Sequence, residues 1–274
     1  MKIITPICLI VLACFAPKLS SGQTNSAVKK GDFYFAWGYS REAFSNSDIH
    51  FKGANYDFTL EDVEAHDRQS PFALNPYFKI NQLTIPQYNI NAGYFLNDKY
   101  AIALGWDHMK YVMDLYKTVK ISGEIDLLES PYNKVYQNED ILITPEFLTF
   151  EHTDGLNYAN VELRRFDCLL NRNKVNINAI SGLGIGVLYP RTNASVLDME
   201  RADQWHLSGY GTAAVAGINA TFFDHYFLQT ELKGGYINMQ DIVTTYDDAD
   251  RASQDFFFGQ WNVTFGARFN VLKK

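Results

Sequence analysis

Eight stretches of this chain alternate their side chains with a period of two, and the gaps between them are by turns very short and very long. The last stretch is the plainest. Phe257, Gly259, Trp261, Val263, Phe265, Ala267, Phe269 and Val271 share one face, and Gln260, Asn262, Thr264, Gly266, Arg268 and Asn270 share the other. Successive side chains of a strand point to opposite sides, so this segment has one apolar and one polar face. A strand of a soluble sandwich rarely keeps an apolar face so long without a break. Apolar outside and polar inside is the pattern of a strand that crosses a bilayer within a closed barrel.

The other seven stretches lie at about 32–41, 86–96, 99–112, 158–169, 174–188, 209–223 and 225–238. In the first, Phe33, Phe35, Trp37 and Tyr39 oppose Ala36, Gly38 and Ser40; in the second, Tyr88, Ile90, Ala92 and Tyr94 oppose Gln87, Asn89, Asn91 and Gly93. The stretch 209–223 is rich in Ala and Gly on both faces and alternates least clearly. Asn97-Asp98, Leu170-Asn171-Arg172-Asn173 and Asp224 make tight turns. The remaining connections, 42–85, 113–157, 189–208 and 239–255, are long. This predicts an all-β, transmembrane, antiparallel up-and-down barrel of eight strands, with short periplasmic turns, long extracellular loops and both termini periplasmic. Residues 48–60 and 117–150 read as hairpins projecting above the bilayer; a further pair placed in the wall would make ten strands.

Aromatic residues fall where membrane interfaces favour them. Tyr94, Tyr100, Phe222, Phe223, Tyr226 and Phe269 lie near the short turns, and Trp37, Tyr39, Trp106, Tyr158, Tyr189, Tyr210 and Tyr236 near the long loops. The long connections hold 24 of the 31 acidic residues but only nine of the 24 basic ones, which predicts an acidic outer surface.

Residues 1–22 read as a cleaved export signal and 23–274 as the barrel domain. Met1-Lys2 supply charge, Ile3 to Ala16 an apolar core, and Ser20, Ser21 and Gly22 a cleavage site. A lipoprotein signal with Cys14 lipidated is a competing expectation, which Leu12 fits poorly. After cleavage Cys168 is the one cysteine left, so no intrachain disulfide framework is expected. Losing Lys2 and Lys18 takes the formal charge from −7 to −9, which disfavours nucleic acid as a partner. No segment beyond the signal is apolar for long enough to cross as a helix, which leaves the barrel route.

The chain resembles the small outer-membrane barrels of Gram-negative bacteria, the OmpA/OmpX-type eight-stranded fold, over about residues 32–272. The most specific local match is Thr264-Phe265-Gly266-Ala267-Arg268-Phe269-Asn270-Val271, which is similar to the terminal-strand signal read by the barrel assembly machinery. Gly266, Phe269 and Val271 would carry it, with Val271 standing where an aromatic residue is usual. The resemblance implies insertion by that machinery and contact with outer-membrane lipid and lipopolysaccharide. Members of this fold class are adhesins, anchors, small pores and lipid-modifying enzymes, so the fold does not choose a function.

Glu162, Arg164, Glu231, Lys233, Arg268 and Asp107 all project to the inferred interior. Eight strands leave a lumen just wide enough for side chains to fill, and isolated buried ions are costly. These residues are therefore expected to pair as an internal plug; a switchable gate for small ions is the alternative. His152 and Asp154 are weakly similar to the His-x-Ser-Asn site of lipid A deacylases, with Asp154 where that site has serine. In a regular strand Thr153 would point to the opposite face, so His152 is expected to be a solvated, non-catalytic loop histidine. Tyr246-Asp247-Asp248-Ala249-Asp250 reads as a hydrated acidic tip without the spacing of a calcium loop. Gly182, Gly184 and Gly186 are expected to make room for bulky neighbours across the lumen. The expectation is a non-enzymatic surface or envelope protein without cofactor or metal, its extracellular ligand unspecified, with a narrow pore and a lipid A acyl hydrolase as alternatives.

Overall fold

The computed structural model describes residues 28–270. The export signal, Cys14 and Val271 lie outside these residues.

Eight strands close a ring: β1 (Asp32–Phe44), β5 (Tyr88–Phe95), β6 (Tyr100–Met109), β11 (Leu156–Arg172), β12 (Val175–Leu188), β14 (Gly209–Phe222), β15 (Tyr226–Val243) and β16 (Arg251–Asn270). Each pairs antiparallel with its predecessor in the ring, and β16 pairs with β1 from Asp32↔Asn270 to Phe44↔Phe258. The ring therefore has no free edge and follows the up-and-down order expected from the alternating gaps.

The pairing also sets the tilt. From Phe33 it runs to Tyr94, Ile102, Leu163, Leu183, Ala214, Gly234 and Gly259, and returns to β1 at Ala43. One circuit thus slips ten residues along β1, which for eight strands tilts them by roughly 40°. On β16 the exposed side chains run from Phe257 through Trp261, Val263 and Phe265 to Phe269. At that tilt they cover about 30 Å, the thickness of a bilayer's hydrocarbon core. A closed barrel belted this way satisfies its backbone internally and offers lipid a mainly apolar surface.

Three details differ from the sequence reading. The β11–β12 turn lies at Asn173-Lys174 rather than 170–173, because Asn173 takes the left-handed conformation that asparagine tolerates (φ 54°). Tyr158 is fully buried, since it shares the inward parity of Asn160 and Glu162, and it does not join the interfacial aromatics. The ten-strand alternative is not realised: the hairpin β2 (Ser47–Gly53)–β3 (Tyr56–Val63) pairs with the top of β16, outside the ring.

That hairpin continues into β8 (Thr118–Ile125) and β9 (Lys134–Leu142), extending the sheet beyond the barrel. A second sheet faces it, made of β4 (Ala65–His66), β7 (Val112–Met113), β10 (Leu148–Glu151) and β13 (Asn193–Val196). Between them lies a core that includes Phe51, Phe58, Phe147, Phe150 and Tyr111, continuous with Phe256 and Phe258 on the inward face of β16. The long connections thus fold into a cap over the mouth of the lumen.

Candidate functional site

Reading inward along the barrel from its short turns, the lumen is filled in layers. Arg268 lies lowest, 3.6 Å from Asp32 and donating to the Asp224 carbonyl. Above it Tyr34, Phe95, Phe166 and Phe227 pack in tilted and edge-to-face contacts with ring centroids 4.9–6.1 Å apart. The cavity they border measures only about 10 Å³, room for about one water.

The ionic layer follows. Arg164 donates to Glu162 at 2.5 Å and to Glu231 at 2.7 Å and 3.4 Å. Lys233 meets Glu162 at 2.8 Å and also pairs with Asp107. Amides complete the partners: Asn160 and Asn89 donate to Asp107 at 3.0 Å and 2.7 Å, and Gln229 donates to Glu231 at 3.0 Å. The ammonium of Lys233 also stands 5.2 Å from the centre of the Tyr158 ring. All five charged residues are buried. Three carboxylates against two cations, linked in one network, meet the condition under which buried charge is tolerated.

Glu162, Arg164, Glu231 and Lys233 therefore come together with Asp107, whereas Arg268 stands apart at the turn end. Asn89, Asn160, Gln229 and Tyr158 belong to the network as well. Their signal was present in the sequence, because each has inward parity on its strand.

The small residues beside the network serve a different geometry from the one expected. Glu162 pairs with Gly184 and Arg164 with Gly182 on the adjacent strand, and Glu231 with Gly217. A Cβ on Gly184 would stand 2.7 Å from Glu162 Cγ, and one on Gly217 would stand 2.4 Å from the Thr230 carbonyl oxygen and 2.8 Å from Glu231 Cγ. These glycines make room for the neighbouring strand's charged side chain, not for one across the lumen.

His152 is wholly buried in the cap, which overturns the expected solvated loop. Strand β10 ends at Glu151, so alternation does not extend through 152–154. The Thr153 hydroxyl donates to Glu151, while Asp154 turns outward to Arg191. A hydroxyl nevertheless reaches His152: Thr192 Oγ1 lies 3.0 Å from Nδ1. The other ring nitrogen, Nε2, faces the Gln254 amide nitrogen at 3.3 Å, where a triad would place an acid.

The network assigns the protons. Gln254 Oε1 accepts from Ser47, so its amide nitrogen donates to His152 Nε2 and leaves Nδ1–H to donate to Thr192. An imidazole that donates to the hydroxyl cannot serve as its base. Burial holds the ring neutral, with its pKa lowered from 6.5 to about 3. The arrangement clasps the second sheet to β16.

In the last loop Asp250 is buried and accepts from the Thr245 hydroxyl at 2.6 Å, so only Asp247 and Asp248 form the expected hydrated tip. Among the described residues no three His, Cys, Asp or Glu side chains are grouped to hold a metal.

No family model and no curated relative matches the chain. Solved structures similar to it include outer membrane protein OprG from Pseudomonas aeruginosa, 12% identical with a TM-score of 0.39 over 89% of this chain and 98% of that one. Neisserial surface protein A is 12% identical with a TM-score of 0.36 over 88% and 99%. Ail, the attachment invasion locus protein of Yersinia pestis, is 9% identical with a TM-score of 0.32 over 88% and 99%. The fold assignment rests on the closed ring and its belt.

Proposed function

We propose that this chain is a non-enzymatic outer-membrane barrel, its lumen plugged, that presents a folded acidic cap outside the cell for surface interaction. One observation carries this reading: the interior is occupied from Arg268 through the aromatic and ionic layers to Phe258 and the core of the cap. A lumen so filled serves as a support, and the exposed chemistry is that of the cap. Exposed pairs such as Lys120–Asp140 and Lys117–Glu64 occupy several of the cap's few cations and leave its carboxylates in excess. The short turns and both termini would face the periplasm.

Purified protein in a planar bilayer is expected to give no sustained conductance. Sustained conductance that Glu231→Ala abolishes would replace the plug with a gate. On intact cells, added protease is expected to trim the cap and spare the barrel. Lipid A from cells with and without the protein is expected to have the same mass; loss of one acyl chain that His152→Ala restores would make the protein a hydrolase.

A further inference from the structure

Residues 69–86 are unlike the rest of the long connections. In a surface dominated by carboxylates, this segment carries a single charge, Lys79, and is otherwise built from Phe, Leu, Ile, Tyr, Pro and small or amide residues. Its large apolar side chains are not gathered into the cap. Phe72 and Leu74 are each 80% exposed, Phe78 is 66% exposed and Ile80 89%. Four such groups exposed within nine residues are a density of bare apolar side chains that soluble surfaces avoid.

The place of the segment explains the pattern. Tyr77 anchors it to the outside of the wall: its ring stands 4.8 Å from that of Tyr39, and its carbonyl accepts from the Tyr39 hydroxyl at 2.6 Å. Arg41, the next outward residue on β1, donates to the Tyr77 hydroxyl at 2.7 Å. Tyr39 pairs with Val263, and the lipid-facing side chains of β16 continue six residues further up, through Trp261 to Phe257. The anchor therefore lies below the upper limit of the apolar belt, on its outer surface.

The backbone is partly satisfied within the segment, which suits a main chain at headgroup level with only its side chains reaching the acyl chains. Short turns bond Phe78 to Leu74, Gln82 to Lys79 and Ile85 to Gln82, and Pro71, Pro76 and Pro86 have no N–H to satisfy.

We propose that residues 69–86 form a lipid-inserting wedge seated in the outer leaflet, with Phe72, Leu74, Phe78 and Ile80 among the upper acyl chains and Lys79 at the phosphate level. The segment continues the belt outward, and its lone cation complements an anionic headgroup layer. The proposal rests on the outer-membrane barrel reading, so its test must separate the two.

In a Cys168→Ser background, Phe78→Cys, Phe257→Cys and Leu128→Cys are each labelled with an environment-sensitive fluorophore. The proteins are refolded into vesicles of phosphatidylcholine with phosphatidylglycerol. Phe257 lies on the barrel belt, and Leu128 is exposed at the tip of the β8–β9 hairpin. The label at 78 should lose most of its emission to doxyl-labelled lipid and little to aqueous iodide, as the label at 257 does, while the label at 128 responds only to iodide. Iodide quenching at 78 with lipid quenching at 257 would overturn the wedge and leave the barrel standing. Iodide quenching at both would overturn the barrel reading and the wedge with it. Lys79→Glu should weaken lipid quenching at 78 in these anionic vesicles and not in pure phosphatidylcholine; equal quenching in both would remove the phosphate contact.

Discussion

The middle of the barrel lumen, above its aromatic layer, and the cap over it are both buried interiors of one chain, yet they are built from opposite materials. The lumen is held by Arg164, Lys233 and three carboxylates, whereas the cap is held by Phe51, Phe58, Phe147, Phe150 and Tyr111. The difference follows from what lies outside each. Lipid accepts the barrel's apolar side chains on its exterior, and the ring of backbone bonds closes without requiring a hydrophobic centre at every level. The lumen is therefore free to hold polar groups, provided each finds a partner. The cap stands in water and has only the burial of apolar surface to drive its folding. Where the two meet, the inward face of β16 passes from Gln260 to Phe258 and Phe256, and the interior changes character within one strand.

The contrast can be broken first in the lumen. Arg164→Ala strands Glu231 without its cation and leaves Glu162 only Lys233, and should cost about 3–5 kcal/mol. The heat-modifiable gel shift would report it as unfolding at lower temperature; an unchanged transition would mean that the network contributes no stability. In the cap, Phe150→Ala should cost about 3 kcal/mol through the cavity it leaves. This loss belongs to the cap, so protease should cut the cap sooner while the barrel's gel shift stays in place. Coincident loss of both would show that cap and barrel fold as one unit.

His152 sharpens the boundary between them. His152→Ala leaves the Thr192 hydroxyl and the Gln254 amide nitrogen unpaired, at a cost of about 1–3 kcal/mol. The wild-type ring also predicts a pH dependence. Its folded pKa, about 3, lies below the ordinary value of 6.5, so the unfolded chain binds a proton that the folded cap does not. The cap's full stability is then present above about pH 6.5, and falls by about 1.4 kcal/mol per pH unit on acidification towards pH 3. Protease susceptibility of the cap should follow that window in wild type and lose this slope in His152→Gln; an equal slope in the variant would place the acid response elsewhere.

The smallest effects separate inside from outside. Gly184→Ala should cost about 1–2 kcal/mol, since its methyl would crowd Glu162. Gly259→Ala, on the lipid face with nothing within 4 Å, should leave the transition almost where it was. Equal costs would mean that the glycines serve the backbone and not the charged layer.

The period-two alternation and the unequal gaps determined the ring, the order of its strands, and the inward direction of Glu162, Arg164, Glu231 and Lys233. These are local properties, because a strand's side chains can point only two ways and a turn of two residues can only bring strands back antiparallel. The same parity made Asn89, Asn160 and Tyr158 inward residues. Tertiary structure decided what no local rule reaches. It separated Arg268 from the network, folded the long connections into two facing sheets, and buried His152 beside Thr192 and Gln254, which lie 40 and 102 residues away. Those contacts join segments that have no periodic relation to one another, and they are chosen by the packing of a core that exists only once the barrel has brought its loops to one end.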